Sequence, residues 1–577
     1  MSFRTQFLSV ALVVAAAPVF ADAGDPPTRV ARLNYEDGSV SFRPGSADDW
    51  GPATINYPLT TGDHLWADQS ARAEIHIGST AIRMDSQTAL SFLNLDDRTV
   101  QLSLTAGVIQ IRLRALPDDE TFEVDTPNVA ISLLRPGDYR IQSDGDKAVT
   151  AITVRGGEAE LTGGGSAFAV HPRESARVTG TDSTTNELVA FVPPDEFERW
   201  AQDRDRRENQ AQSVHYVPRE MIGYEDLDEH GVWREVPEYG WVWTPTGVVA
   251  GWAPYRYGHW VWVAPWGWTW VDDAPWGFAP FHYGRWAFVA GGWVWVPGRI
   301  VERPVYAPAL VAFVGGPRFS VSVAVGGGGG GVAWFPLGPG EVYRPAYHVS
   351  EVYVRNVNVT HVNVTNVNVT NVRYVNQNVQ GAVTAVPQQT FVSARPVGRD
   401  AMIVSAREAA QAPVVGSSAA IAPRPESLMA RPAGAAAVAR PPAPVMQHTV
   451  VARATPPPPP VPFRAQQQAL QANQGRPLDA ATLNTLRPNA PAPGVQVAQP
   501  GPASRPQSFG APRNDRPLNA ARPGDAPPAS RPVPADRPIH NDRPAAATPA
   551  HPPAGERKAE RKAEHPKPER RKEEHKE

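Results

Sequence analysis

Cysteine is absent from the 577 residues of this chain. Disulfides, thiolate nucleophiles, cysteine-ligated metals and a lipid-modified N-terminal cysteine are thereby excluded, so the fold has to be stabilised by packing. Long apolar runs are scarce too. After the first two dozen residues no window offers about 18 uninterrupted apolar residues, and no transmembrane segment is expected once the N-terminal stretch is removed. Catalytic signatures are missing as well: there is no H-E-x-x-H, no G-x-S-x-G and no grouping of Ser, His and Asp that reads as a nucleophile with its base. The GGGGGG at 326–331 lacks the Gly-Lys-Ser/Thr of a phosphate loop and reads as a linker or hairpin tip. A non-enzymatic protein without a cofactor is expected.

The N-terminus carries the one apolar run. In MSFRTQFLSVALVVAAAPVFADAG, Arg4 precedes an apolar stretch at 7–20, and Ala21 and Ala23 stand in an A-x-A arrangement. This is a secretory signal over 1–23, cleaved before Gly24, and implies a periplasmic or secreted protein. The formal net charge of -3 conceals an asymmetry. Residues from Val386 onward carry about +11 and those before it about -14, so the two parts attract different partners.

From 24 to 192 short strands alternate with turns. In RAEIHIGSTAIRMD, Ile75 and Ile77 share a face, Gly78-Ser79 turns, and Ile82 and Met84 return. Many such strands at regular spacing mean a β-sandwich or β-roll. Within this stretch, DTPNVAISLLRPGDYRI followed by AITVRGGEAEL resembles the FecR family of periplasmic β-domains. Thr126-Pro127, Gly137, Tyr139, Val154 and Gly157 carry the likeness over about 62–161, while Pro136-Gly137-Asp138 stands where Gly-Thr is usual. The resemblance implies a fold. A FecR regulator also needs a cytoplasmic sigma-binding segment and a transmembrane helix, which this sequence does not show, so the signalling role is not carried over with it. A soluble FecR-like partner in envelope signalling is kept as an alternative.

PPDEFERWAQDRDRRENQAQ reads as a helical connector over 193–214. Proline opens it, acids fill the first turn, and Phe197, Trp200, Ala201 and Arg204 share a face. That face is expected to pack on a neighbouring domain, with the Arg/Asp run solvated.

Tryptophan is concentrated instead of scarce. Thirteen of the 17 tryptophans lie between Trp233 and Trp295, and GHWVWVAPWGWTWVDDAPWG alone holds six. The region repeats: WAPYRYGHW at 252–260 aligns position for position with FAPFHYGRW at 278–286, 26 residues on. Self-similarity at this step implies β-units that bury their faces on one another over 215–300. A buried Trp removes up to about 200 Å² from water, worth roughly 5 kcal/mol, so most of the rings are read as interior. Rings beside turns, Trp266 and Trp276, are expected to stay outside. With Asp272 and His282 they form the candidate glycan or ligand contacts. Asp272-Asp273 reads first as a turn, because adjacent residues in a strand point to opposite faces, and His259 and His282 recur beside the aromatic clusters.

YVPREMIGYEDLDEHGVWREVPEYGWVWTP, WGFAPFHYGRW, GGWVWVPG, VYAPALVAFVGG and WFPLGPGEVYRPAYHVSEVYVRN resemble a family of uncharacterised exported proteobacterial proteins. In that family a Trp-rich domain of unknown function follows a FecR-like domain. The resemblance spans about 216–356 and implies domain order and an envelope location, but no reaction.

An extension at 301–385 contains NVNVTHVNVTNVNVTNVRYVN (356–376). Its five-residue period moves Val from one strand face to the other at each repeat, so a single amphipathic strand does not accommodate it. From 386 to 577 the chain is rich in Pro, Ala and Arg, with pairs such as Arg505-Pro506 and Arg537-Pro538, and reads as a disordered tail of polyproline II character. Arginines spaced along such a chain suit envelope proteins or anionic and glycan polymers, with no specific nucleic acid expected. The fold class is therefore mainly all-β, and the function expected is that of an envelope scaffold or binding component. A carbohydrate-binding module using exposed tryptophans is the alternative.

Overall fold

The alternation in RAEIHI determines how the first body is built. Ile75 pairs with Leu33 on one side and with Ile82 on the other, joining the strands Ala31–Asp37, Arg72–Ile77 and Thr80–Met84 into an antiparallel ribbon. In the computed structural model the described residues are 24–315, 330–358, 374–431, 438–488 and 494–498, all within one unit, 1–509. Seventeen strands between Ala31 and Val189 form a single continuous sheet system. Its spine is the strand Thr99–Leu113, which pairs antiparallel with Thr80–Met84, Thr88–Leu95 and Gly137–Asp144 and parallel with Thr121–Asp125. Ile75, Ile82, Leu102, Ile109, Ile111, Val124, Ile131, Ile141 and Leu161 close the interior. Burying each such side chain is worth about 1.5–3 kcal/mol.

Two glycines there are fixed by close approach. A Cβ on Gly137 would stand 2.1 Å from the Gly156 carbonyl oxygen. At Gly157, with φ +87°, it would stand 2.0 Å from the Tyr139 hydroxyl. That hydroxyl donates to the Arg135 carbonyl and accepts from the Glu158 N–H at 3.0 Å, tying two turns together.

The connector is the helix Glu196–Gln210. Asp195 caps it by accepting from the Glu198 N–H, and the acids Glu196 and Glu198 sit in its positive first turn. Phe197 and Ala201 are buried, and Trp200 lies 5.7 Å from Tyr35 of the first strand.

Three hairpins follow at a regular step: Gly231–Val236 with Gly240–Pro245, Gly258–Val263 with Gly267–Asp272, and Arg285–Val289 with Gly292–Val296. The outer two join edge to edge, so that Trp233, Trp243, Trp295 and Trp286 stand in one cross-strand row. The middle hairpin does not stack between them. It turns Trp260 onto Phe313, Trp334 and Phe391, each 5.3 Å away. Phe313 and Trp334 belong to the strands Val311–Val314 and Gly331–Pro336 of a five-stranded sheet completed by Thr384–Pro387, Met402–Ile403 and Val414–Gly416.

That sheet crosses the boundary expected from composition at 385/386, and its packing on Trp260 joins the segments on either side of 300/301. The described part of the segment following 386 is docked: Phe391, Val392, Val397, Leu428, Val451, Phe463 and Leu470 are all buried. Apolar residues too sparse to build a core of their own suffice to dock an extended proline-rich chain onto a core built elsewhere. Residues 499–577, with the Arg-Pro pairs at 505–538, lie outside the described residues, as do 359–373 of the Val-Asn-Thr run and 326–329 of the glycine run. Among the described residues no helix is long and apolar enough to cross a membrane.

Candidate binding site

The tryptophans are mostly interior. Ten of the thirteen in the repeat region are buried, Trp233 and Trp252 are half-buried, and Trp241 is exposed. The indole N–H groups of Trp243, Trp286, Trp295 and Trp268 donate to main-chain carbonyls of Leu227, Pro280, Tyr283 and Ile421 at 2.9–3.0 Å. This is how a buried Trp satisfies its one polar atom.

The two rings expected outside are inside. Trp266 is 3% exposed and packs edge-on to Tyr306, and Trp276 is 5% exposed against Trp243, Trp252 and Phe281. The accessible ring is Trp241, 45% exposed, with Tyr216 4.8 Å away and Tyr216 in turn stacked on Trp233 at 4.5 Å.

Asp272 and His282 are also enclosed. The Asp272 carboxylate accepts from the Trp270 indole and from the Ala274 N–H, each at 3.0 Å, and so clamps the turn 272–277. Burial pushes its carboxyl well above the usual range against those two hydrogen bonds. Asp273 points out from the same turn, as the strand alternation requires. His282 sits between Phe278 and Tyr306 with Nδ1 2.7 Å from the Ala307 carbonyl, and burial lowers its pKa to about 3. His259 faces Asp273 instead, at 3.8 Å. Among the described residues no three or more metal-capable side chains are gathered together.

The densest chemistry lies where the sequence reading placed solvent. Glu74 and His76 occupy the polar face of Arg72–Ile77; the connector helix covers Glu74 and the turn 224–226 meets His76. Glu74 accepts from Arg83 at 2.6 Å and, through a two-point fork, from Arg204 at 2.7 Å twice. His76 bridges Glu74 at 3.1 Å and Glu225 at 3.0 Å, while Arg32 reaches Asp226 at 2.6 Å. Burial alone would raise the Glu74 carboxyl, but Arg83, His76 and Arg204 outweigh it and hold it well below the carboxylate range. Burial likewise disfavours the His76 charge, and Glu225 and Glu74 reverse that, raising it to about 10. The Arg/Asp run of the helix is thus partly an inward-facing set of ion pairs. Arg32 also donates to the Pro275 carbonyl, and Asn56 donates to the carbonyls of Asp272 and Ala274, all within 2.9 Å. The Asp272 turn is pinned to the first body by these bonds.

Beside this cluster a cavity of about 160 Å³ opens among Arg29, Ser79, Glu120, Glu220, Tyr283 and Arg303. It is smaller than the roughly 300 Å³ of an ordinary ligand site. Arg29 and Arg303 both pair with Glu120, at 2.7 and 2.5 Å. Its charges are therefore already engaged.

Residues 224–341 match the model of a family of unknown function, DUF6600. The matched stretch runs from the turn carrying Glu225 and Asp226, through the three hairpins, to the buried Glu341. No curated protein matches the chain. Two crystal structures of a Parabacteroides distasonis protein, provisionally assigned as an anti-sigma factor, are 12% identical with TM-scores of 0.20 and 0.21. The likeness covers 22% and 24% of this chain and 60% and 64% of theirs, too slight to carry a fold or a role.

Proposed function

We propose that the protein is a non-enzymatic, exported envelope protein working as a binding scaffold. The observation that carries this reading is the buried ion cluster Arg32, Glu74, His76, Arg204, Glu225 and Asp226, which makes one body of the first β-region, the helix and the Trp-rich region. Residues that looked available for chemistry, Asp272 and His282, serve that body as turn and loop clamps. A block of this kind presents surfaces, and its partners are envelope proteins or anionic and glycan polymers. Fractionation of cells with protease shaving tests the placement: recovery in the envelope fraction is expected, and a protein found intact in the cytosol overturns the reading.

The exposed Trp241, with Tyr216 beside it, favours a second reading, in which this edge stacks on a sugar ring. Titration with cell-wall fragments should then quench tryptophan emission in the native protein and not in W241A. Identical responses from the two proteins sink that reading.

A further inference from the structure

Four strands of the first body place Gln101, Glu123, Ser132 and Glu160 side by side, each in register with the next, in one polar row. The opposite face of these strands is core, through Leu102, Val124, Ile131 and Leu161. The row itself is the face that alternation assigns to water. It is covered by residues 450–454, which are more than 280 residues away in sequence from Glu160.

Every member of the row meets this strap. Glu123 accepts from the Arg453 N–H at 2.7 Å and the Ala454 N–H at 3.3 Å, and Gln101 donates to the Ala454 carbonyl at 2.9 Å. The Arg453 guanidinium reaches Glu160 and, at 3.5 Å, Ser132. One residue pair back, the Val451 N–H donates to the Thr126 carbonyl at 2.9 Å in an antiparallel bridge. The main chain supplies most of these bonds, and the side chains kept inside, Val450 and Ala452, are small. That is recognition of an extended backbone by side chains on a sheet face, with one charged side chain read, while the strap's own ladder partner is the parallel strand Val495–Val497.

Two further features make the strap look like a ligand and less like part of the core. Ala-Arg recurs along the basic C-terminal stretch, at 394–395, 406–407, 430–431, 439–440, 452–453 and 521–522, whereas the row occurs once. Beyond Arg453 and Ala454 an open groove of about 570 Å³ continues past Leu116, Pro117 and Asp118, so the groove is longer than the segment that fills it.

We infer that the row Gln101–Glu123–Ser132–Glu160 is a receptor for an extended, Ala-Arg-bearing polypeptide, held in cis by the chain's own residues 450–454. The occupant it takes in trans is a segment of that chemistry from another polypeptide. This deepens the scaffold reading by naming what the scaffold binds and what keeps the site closed. A tethered strap competes at an effective concentration in the millimolar range, so the native protein binds such peptides weakly.

The test uses the full chain and a labelled peptide, TVVARATP, followed by fluorescence anisotropy. Arg453 is a half-exposed side chain outside the apolar core, so R453E should leave the core intact; near-UV circular dichroism verifies this, with R453A as the second variant. Peptide affinity should rise at least about tenfold from native protein to R453E, and disappear when E123Q and E160Q are added. Binding to neither native nor R453E overturns the receptor. Equal binding to both, or binding that survives E123Q/E160Q, overturns the cis-held site. Either failure leaves the scaffold reading to stand or fall on fractionation.

Discussion

Replacing Phe391 by alanine should destabilise the protein by about 3–5 kcal/mol, although Phe391 lies in a stretch whose composition reads as tail. The magnitude comes from its surroundings. The ring is fully enclosed, 4.4 Å from Trp268, 5.3 Å from Trp260, and 6.1 and 6.2 Å from Phe313 and Trp334. It is therefore the plug between the middle hairpin and the five-stranded sheet. Truncation removes its apolar area and opens a cavity that four rings held in separate strands are poorly placed to fill. Urea unfolding followed by tryptophan emission reports directly on that cluster, and the shift in midpoint at constant slope gives the free-energy change. Phe288, exposed at 42%, is the control: F288A should change stability by less than about 1 kcal/mol. If F391A unfolds within about 1 kcal/mol of the native protein, the residues after 386 do not belong to the core and the reasoning is refuted.

E74Q leaves Arg83, Arg204 and His76 buried without their shared counter-charge, and about 3–5 kcal/mol should be lost in the same urea assay. The histidines give opposite pH signatures. His76, raised to about 10, adds stability that is complete below about pH 6.5 and is lost as pH rises towards 10. His64 and His282, lowered to about 3, must charge on unfolding, so stability falls as pH drops from 6.5 towards 3; H282Q should flatten that acid limb in unfolding curves taken across the range. G157A forces a side chain into a left-handed residue against the Tyr139 hydroxyl and should lose about 1–3 kcal/mol, whereas unchanged stability would show that the turn adapts. W241A should stay within about 1 kcal/mol of the native protein, since the ring is 45% exposed and its aromatic contact is with Tyr216.

What the sequence makes legible here is periodicity. The 26-residue spacing in the Trp region corresponds to a contact between equivalent positions: the Tyr255 hydroxyl donates to the Phe281 carbonyl at 2.8 Å, with the rings edge to face at 4.9 Å. The helix start at Asp195 and the strand alternation around Ile75 are equally plain, because capping and a period of two are local properties. What covers a given face is not local. Glu74 and His76 alternate with Ile75 and Ile77 exactly as solvent-facing residues would, and only the path of the chain 130 residues later brings Arg204 over them. Trp266 and Trp276 failed as outward rings for the same reason. Turns are usually open, but the turn 272–277 carrying Trp276 is held against the first body by Arg32 and Asn56, and Trp266 in the middle hairpin's own turn is covered by Tyr306.

The connector helix illustrates what charge contributes in such covered places. Phe197, Ala201 and the Trp200 ring against Tyr35 provide its apolar contacts, yet these would tolerate a helix rotated or slid along the sheet. Three forked arginine–carboxylate pairs remove that freedom: Glu198 with Arg155, Arg204 with Glu74, and Glu208 with Arg114. They are spaced over ten residues, with two carboxylates on the helix and one on the sheet, so a displacement by a single residue breaks all three and sets charges of like sign against each other. Forked geometry adds direction as well as attraction. Desolvation offsets much of the Coulombic gain in a buried pair, so such pairs contribute less to net stability than to selecting one arrangement over its neighbours. On this argument a paired replacement of Glu198 and Arg155 by leucine and methionine would leave stability nearly unchanged, while a single replacement, which strands the other charge, would not.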